Sequence, residues 1–151
     1  MIRLCERLTE KHEVLMSLAD DNKMAINDYT QRGNVYEFIL DSEVVGVAVS
    51  IMTRPNTLEL VNLAVDPEQQ GKGIGREMIR FIIETAKASN CHTVTVGTGN
   101  SGIGQLKLYQ QEGFRMKSID TDYFLKHYAE PIYENGIRCK DMVHLEIDLL
   151  R

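Results

Sequence analysis

The chain has 151 residues, 17 Lys and Arg against 22 Asp and Glu, a formal net charge of -5, and 43 % hydrophobic residues. That length suits one domain over residues 1–151, with the composition of an ordinary globular protein. The negative balance argues against a nucleic-acid partner, which needs a basic face.

Met1 to Arg7 alternates apolar and charged residues and reads as a first strand, not as a signal peptide or membrane span; with no such segment, a cytoplasmic location is expected. Cys5, Cys91 and Cys139 are isolated in sequence, with no CxxC pair and no Cys/His run at metal spacing, so free thiols and no metal are expected. Thr9 can cap a helix whose apolar positions Val14, Leu15 and Leu18 share a face. Asp20-Asp21-Asn22 reads as a break before a short helix reaching about Arg32, and Gly33-Asn34 as a turn.

Strands follow over Val35–Leu40 and Val44–Met52, joined tightly at Asp41-Ser42-Glu43 as a hairpin, and then Leu58–Val65 after Pro55-Asn56. Strict alternation puts Glu59, Val61, Leu63 and Val65 on one strand face. A glycine-rich loop runs from Asp66 to Gly75. Ile74, Met78, Phe81, Ile82 and Ala86 then recur at helical spacing, with Asn90 where a C-cap would stand. A strand over Thr93–Val96, a short helix from Ile103 to Glu112 stopped at Gly113, a strand over Phe114–Ile119 and a final alternating strand over Met142–Leu149 complete the chain. Antiparallel strands first, then strand-helix-strand-helix-strand, give an α+β fold around a mixed, mostly antiparallel sheet with helices on both faces.

The chemistry concentrates in the loop. Glycines let backbone approach a ligand closely, and the first helical turn offers unpaired N–H groups and the positive end of the macrodipole, a site for phosphate or pyrophosphate. There is no GxxxxGK[ST], and Gly71-Lys72-Gly73-Ile74-Gly75 lacks the GxGxxG spacing of dinucleotide folds. On these residues alone, a tight turn without a ligand is an equal reading.

Gln70-Gly71-Lys72-Gly73-Ile74-Gly75 resembles the pyrophosphate loop of the GNAT superfamily, the Gcn5-related N-acetyltransferases, whose pattern is Gln or Arg, two residues, Gly, one residue, Gly or Ala. Asn62-Leu63-Ala64-Val65-Asp66-Pro67-Glu68 is similar to the strand and turn that lead into it. Leu108-Tyr109-Gln110-Gln111-Glu112-Gly113-Phe114 resembles the later LYxxxGF element, with Asn100 upstream. The element order agrees over nearly the whole chain.

The resemblance implies acetyl-CoA as co-substrate. Its pyrophosphate would lie on the N–H groups of Gln70, Gly71, Lys72, Gly73, Ile74 and Gly75, with Lys72 adding charge or merely solvated. Its pantetheine arm would run along Leu63, Ala64 and Val65, and Asn100 would reach the arm from the other side or, alternatively, cap a helix. The Leu63 N–H would polarise the carbonyl. Tyr109 would protonate the departing thiolate; a core tyrosine is the alternative. A lysine-like amine has a pKa of about 10.4, so deprotonating it at pH 7 costs roughly 4–5 kcal/mol. Glu59 falls where the histone-acetylating branch places its glutamate and is the candidate base; an exposed, solvating Glu59 with a water chain as base is the alternative. Members that acetylate protein N-termini carry a glutamate where Thr95 stands, which disfavours that activity.

Residues 120–141 form a long connection rich in large side chains, among them Tyr123, Phe124, Tyr128 and Tyr133, with a turn at Asn135-Gly136. It is expected to wall the acceptor pocket, with Asp120, Asp122, Glu130 or Glu134 attracting a cationic amine and His127 joining them. The expected activity is direct transfer, in a ternary complex, to a primary amine of a small molecule. A protein or peptide amine is the second reading, and a non-catalytic acyl-CoA sensor the third. No metal, nucleic acid or membrane partner is expected, and a homodimer is consistent with the family's habits.

Overall fold

The computed structural model describes residues 1–151. In chain order the elements are β1 (Ile2–Leu4), α1 (Glu10–Ala19), α2 (Lys23–Arg32), β2 (Asn34–Leu40), β3 (Glu43–Arg54), β4 (Thr57–Val65), a 3-10 turn (Pro67–Gln69), α3 (Ile74–Ala88), β5 (Thr93–Gly99), α4 (Ile103–Gln111), β6 (Arg115–Asp120), α5 (Tyr123–His127), β7 (Tyr133–Glu134), β8 (Ile137–Arg138) and β9 (Met142–Asp148). Seven strands make one sheet in the order β1-β2-β3-β4-β5-β9-β6, and β7 and β8 form a separate hairpin. All pairings in the large sheet are antiparallel except β4 with β5. No helix is long and apolar enough to cross a membrane.

Two apolar layers cover the sheet. On one face α3 buries Ile74, Met78, Ile79, Ile82 and Ala86 against β-residues such as Leu58, Leu60, Val94, Val96 and Leu145. Phe81 sits at the rim with its ring 5.0 Å from Tyr36. On the other face Leu15, Met16, Ile26 and Tyr29 of α1 and α2 pack on Val35, Val47, Val49 and Ala64.

The α1 stripe differs from the expected one. His12, Leu15 and Met16 are buried, whereas Val14 and Leu18 are about half exposed (53 % and 54 %). The cause is a polar residue on the core side: His12 turns inward to Glu37 of β2, 2.7 Å away, which rotates the stripe by one position. At the end of α3, Ser89 is the cap, and Asn90 takes the left-handed conformation just beyond it.

β4 also departs from strict alternation. Val49 pairs with Asn62 and Ser50 with Leu60, so Val61 is an extra, unpaired residue: a β-bulge. Before it, Leu58 and Leu60 face α3; after it, Leu63 and Val65 do, while Asn62 is buried under α1 and α2. Glu59 therefore lies on the face opposite to Leu63 and Val65. A period-2 reading fails here because one inserted residue inverts every later side chain.

The α3 layer carries much of the packing. Ile82 is 1 % exposed, so Ile82→Ala should cost about 2–5 kcal/mol. Denaturant unfolding should show that loss with an unchanged m-value; a loss below about 1 kcal/mol would mean the helix is not packed as described.

Candidate functional site

β4 and β5 pair only from Thr57↔Thr93 to Leu60↔Val96. Beyond Leu60 the strands part. β5 continues beside β9 to Gly99, and the β5-facing edge of residues 61–65 is left without a strand. The bulge at Val61 lies where the separation begins, and bulges increase local twist.

A cleft of about 540 Å³ opens there. Its floor is Leu63, Ala64 and Val65; Gln69 to Gly71 and Gly73 to Arg76 form one wall; Gln105, Leu108 and Tyr109 of α4 form another; Leu18 and Ala19 of α1 close an end. α1 and α4 lie on opposite faces of the sheet, so the cleft passes through the sheet at the gap between β4 and β5.

The loop presents free donors. No acceptor in the chain takes the amide hydrogens of Gln70, Gly71, Lys72, Gly73, Ile74 or Gly75. Gly71 and Gly73 hold φ of +80° and +84°, which L side chains adopt only with strain. Gly73 is the N-cap of α3, so the first-turn amides and the helix dipole point into the loop. Gln70 folds its side chain back onto the Val65 carbonyl (Nε2 donating at 3.2 Å), and Asp66 braces the turn by accepting from the Glu68 amide at 3.0 Å and from Lys11 at 2.8 Å. Lys72 donates to Gln69 at 2.6 Å and does not line the cleft. Arg76, which sequence reasoning passed over, does line it. Its guanidinium bridges to Gln111 and Glu112 of the α4 end at 2.8 and 3.3 Å.

Tyr109 is largely buried, its ring edge-on to Phe114 at a centroid distance of 5.6 Å, and it faces the cleft with no hydrogen bond to its hydroxyl. Burial pushes its phenol well above the usual range. It therefore keeps its proton at neutral pH and can donate it. Glu59 is half-buried outside the cleft lining. Burial raises its carboxyl, with His144, Thr53 and Arg54 pulling the other way. Thr95 is its partner across the β4–β5 pair.

Asn100 is engaged elsewhere than expected. Its Oδ1 accepts from the Lys140 and Asp141 amides at 2.8 and 3.0 Å, and its Nδ2 donates to the Arg138 carbonyl at 3.2 Å. It does not line the cleft, and the N-cap of α4 is Gly102. Asn100 is thus the clasp that holds the end of the long connection against β5. Asn135, at the expected turn, adds a bond to the Ser101 carbonyl at 2.8 Å, and Ser101 Oγ donates to Glu134 at 3.4 Å.

The residue after α5, Tyr128, docks that connection on the α1–α2 junction. Asp20 accepts from Tyr128 Oη at 3.0 Å and from Tyr29 Oη at 3.2 Å, and Tyr29 Oη in turn accepts from Asn62 Nδ2 at 2.9 Å. This chain ties β4, α2, the α1–α2 break and the residue after α5 together. Asn62 Oδ1 is buried without a partner. Tyr123 stacks beside Phe124 and His127, with ring centroids 5.1 and 4.7 Å away. Burial raises its phenol, and the nearby charges of Asp20, Asp120 and Glu59 raise it further. Asp20 and Asn62 were missed in sequence because each reads as a turn or strand residue until the fold pairs it.

Comparison with known proteins agrees with this geometry. Residues 2–114 match the family model described as the acetyltransferase (GNAT) family. The Bacillus subtilis N-acetyltransferase YvbK is 46 % identical over 148 residues, covering 98 % of this chain and 96 % of that protein. A crystal structure of a Bacillus subtilis acetyltransferase in complex with CoA superposes with a TM-score of 0.95 at 46 % identity, covering 98 % and 97 % of the two chains. A GNAT family acetyltransferase from Elizabethkingia anophelis with acetyl-CoA bound gives 0.95 at 37 %, covering 99 % and 97 %.

A methyl at position 73 would touch nothing in the chain within 4 Å, yet φ there is +84°. Gly73→Ala should therefore leave global stability within about 2 kcal/mol while raising the KM for acetyl-CoA at least about tenfold, as the loop rearranges to relieve the strain. An unchanged KM would show that the loop does not hold the coenzyme.

Proposed function

The chain belongs to the acetyltransferase (GNAT) family and is an acetyl-CoA-dependent acetyltransferase; from that premise we propose that it moves the acetyl group directly to a primary amine of a small molecule, within a ternary complex. The observation that carries the acceptor class is Asp20, next in the chain to the cleft-lining Ala19 and held by the Tyr128 and Tyr29 hydroxyls, a carboxylate at the α1 end of the cleft suited to an ammonium group. The α5 region closes over that side through the Tyr128–Asp20 bond, which favours a compact acceptor over an extended chain.

The chemistry divides among few groups. The diphosphate of the coenzyme sits on the free amides of Gln70 to Gly75. The thioester arm extends β4 along Leu63, Ala64 and Val65, with a backbone N–H of Leu63 polarising the carbonyl. A neutral amine attacks the carbonyl carbon; the C–S bond breaks as the C–N bond forms; Tyr109 gives its proton to the leaving thiolate. Glu59, its carboxyl raised by burial, takes the proton from the amine directly or through water.

Thiol release from acetyl-CoA with polyamines, aminoglycosides, amino acids and short peptides tests the class. Turnover with a small cationic amine, at kcat/KM at least about tenfold above the best peptide, is expected. Preference for peptides would support the protein-amine reading, and tight coenzyme binding with no turnover would make the chain a sensor.

Tyr109→Phe should lower kcat about 10²–10⁴-fold while coenzyme affinity holds. Glu59 must be ionised to act. Because its folded pKa is raised, kcat/KM should fall as pH drops through that raised value, and Glu59→Gln should remove this acidic limb along with most of the rate. An identical pH profile in the variant would assign the base role to water alone.

A further inference from the structure

A polar cluster that the transfer reaction does not use lies beneath the first turn of α1. Cys5 follows β1, His12 is on α1 and Glu37 is on β2. One ligand atom from each lies within 4.8 Å of the other two. His12 Nε2 is 2.7 Å from Glu37 Oε1 and 3.4 Å from Cys5 Sγ. His12 and Glu37 are buried, whereas Cys5 is partly exposed. Isolated in sequence, the three donors converge only because β1 and β2 pair and α1 crosses over them.

The donor set has a chemical preference. One thiolate, one imidazole and one carboxylate suit a borderline divalent cation such as zinc or cobalt; magnesium and calcium want oxygen ligands throughout. Three protein ligands beside a partly exposed sulfur leave a fourth position open to water. One outer partner that such ligands need is in place and a second is within reach. Arg3 Nε donates to Glu37 Oε2 at 2.6 Å, and Thr9 Oγ1 lies 2.9 Å from His12 Nδ1. We infer that Cys5, His12 and Glu37 form a binding site for zinc or a similar borderline divalent cation. The site shares no residue with the coenzyme cleft.

Two of the three donor separations are close to those of a tetrahedral site. Tetrahedral zinc ligands at about 2.0–2.3 Å from the metal stand about 3.3–3.7 Å apart. The Cys5–His12 separation already fits, and the His12–Glu37 pair opens by about half an ångström. In the metal-free chain the Thr9 amide donates to His12 Nδ1 at 3.0 Å, so Nε2 carries the ring proton and gives it to Glu37. On binding, that proton moves to Nδ1, where Thr9 Oγ1 accepts it, the Thr9 amide turns to water, and Cys5 releases its thiol proton to solvent. The cation then staples the three-residue strand β1 to α1 and β2, and because it binds only the folded chain it raises the thermal midpoint.

Cobalt(II) titrated into metal-stripped protein tests this. A thiolate-to-cobalt charge-transfer band in the near ultraviolet should appear and saturate at about one cation per chain. Cys5→Ser should abolish it, and Glu37→Gln should weaken apparent affinity at least about tenfold. Zinc should raise the melting temperature of the wild type and leave that of Cys5→Ser unchanged. Should a substitution prevent folding, alkylation of Cys5 in the wild type decides the matter: saturating zinc should slow it at least about tenfold. No band, a band that survives Cys5→Ser, or alkylation at one rate with and without zinc would overturn the inference.

Discussion

A backbone strand that leaves its neighbour carries polar groups that must find another partner. In this fold the strand is β4. It keeps β3 throughout, but β5 only as far as Leu60. Next in the chain come six amide hydrogens, from Gln70 to Gly75, with no acceptor of their own. An open strand edge and a ring of free donors at a helix start suit a ligand that is peptide-like at one end and doubly phosphorylated at the other. Coenzyme A has that shape and charge, and relatives with the same architecture hold it.

The rest of the molecule follows from keeping that gap open. α3 and α4 pack one face and bring the loop amides and Tyr109 to the cleft; α1 and α2 pack the other and bring Leu18 and Ala19 to it. Because the opening passes through the sheet, a thioester held from one side can be met by an acceptor from the other. The bulge at Val61 supports this division by turning Glu59 away from Leu63, so the candidate base and the cleft-lining part of β4 address different faces. Asn100 then pins the end of the 120–141 excursion to β5, and Asp20 pins its middle to the α1–α2 junction.

The element order, the glycine loop and the hairpin turn at Asn135-Gly136 were legible in the sequence, because each rests on local rules: side-chain period, positive φ, cap chemistry. What escaped was set by tertiary pairing. Nothing in Leu58–Val65 announces a bulge, since every residue there suits a strand on either face. The α1 stripe was misjudged because His12 looks like a surface residue until Glu37 is brought beneath it. Asn100 reads as a ligand contact or a helix cap, yet its partners lie 38 to 41 residues later. Arg76 could have been found, as a cation in the first turn of a helix whose start suits an anion.

Amide hydrogen exchange across residues 70–75, with and without acetyl-CoA, reaches the central claim most directly. Unbonded amides exchange rapidly in the free protein, and a bound diphosphate should slow them while the interior of α3, already bonded, changes little. If saturating coenzyme leaves those six amides as fast as before, the diphosphate is held elsewhere, and this account of the cleft is wrong.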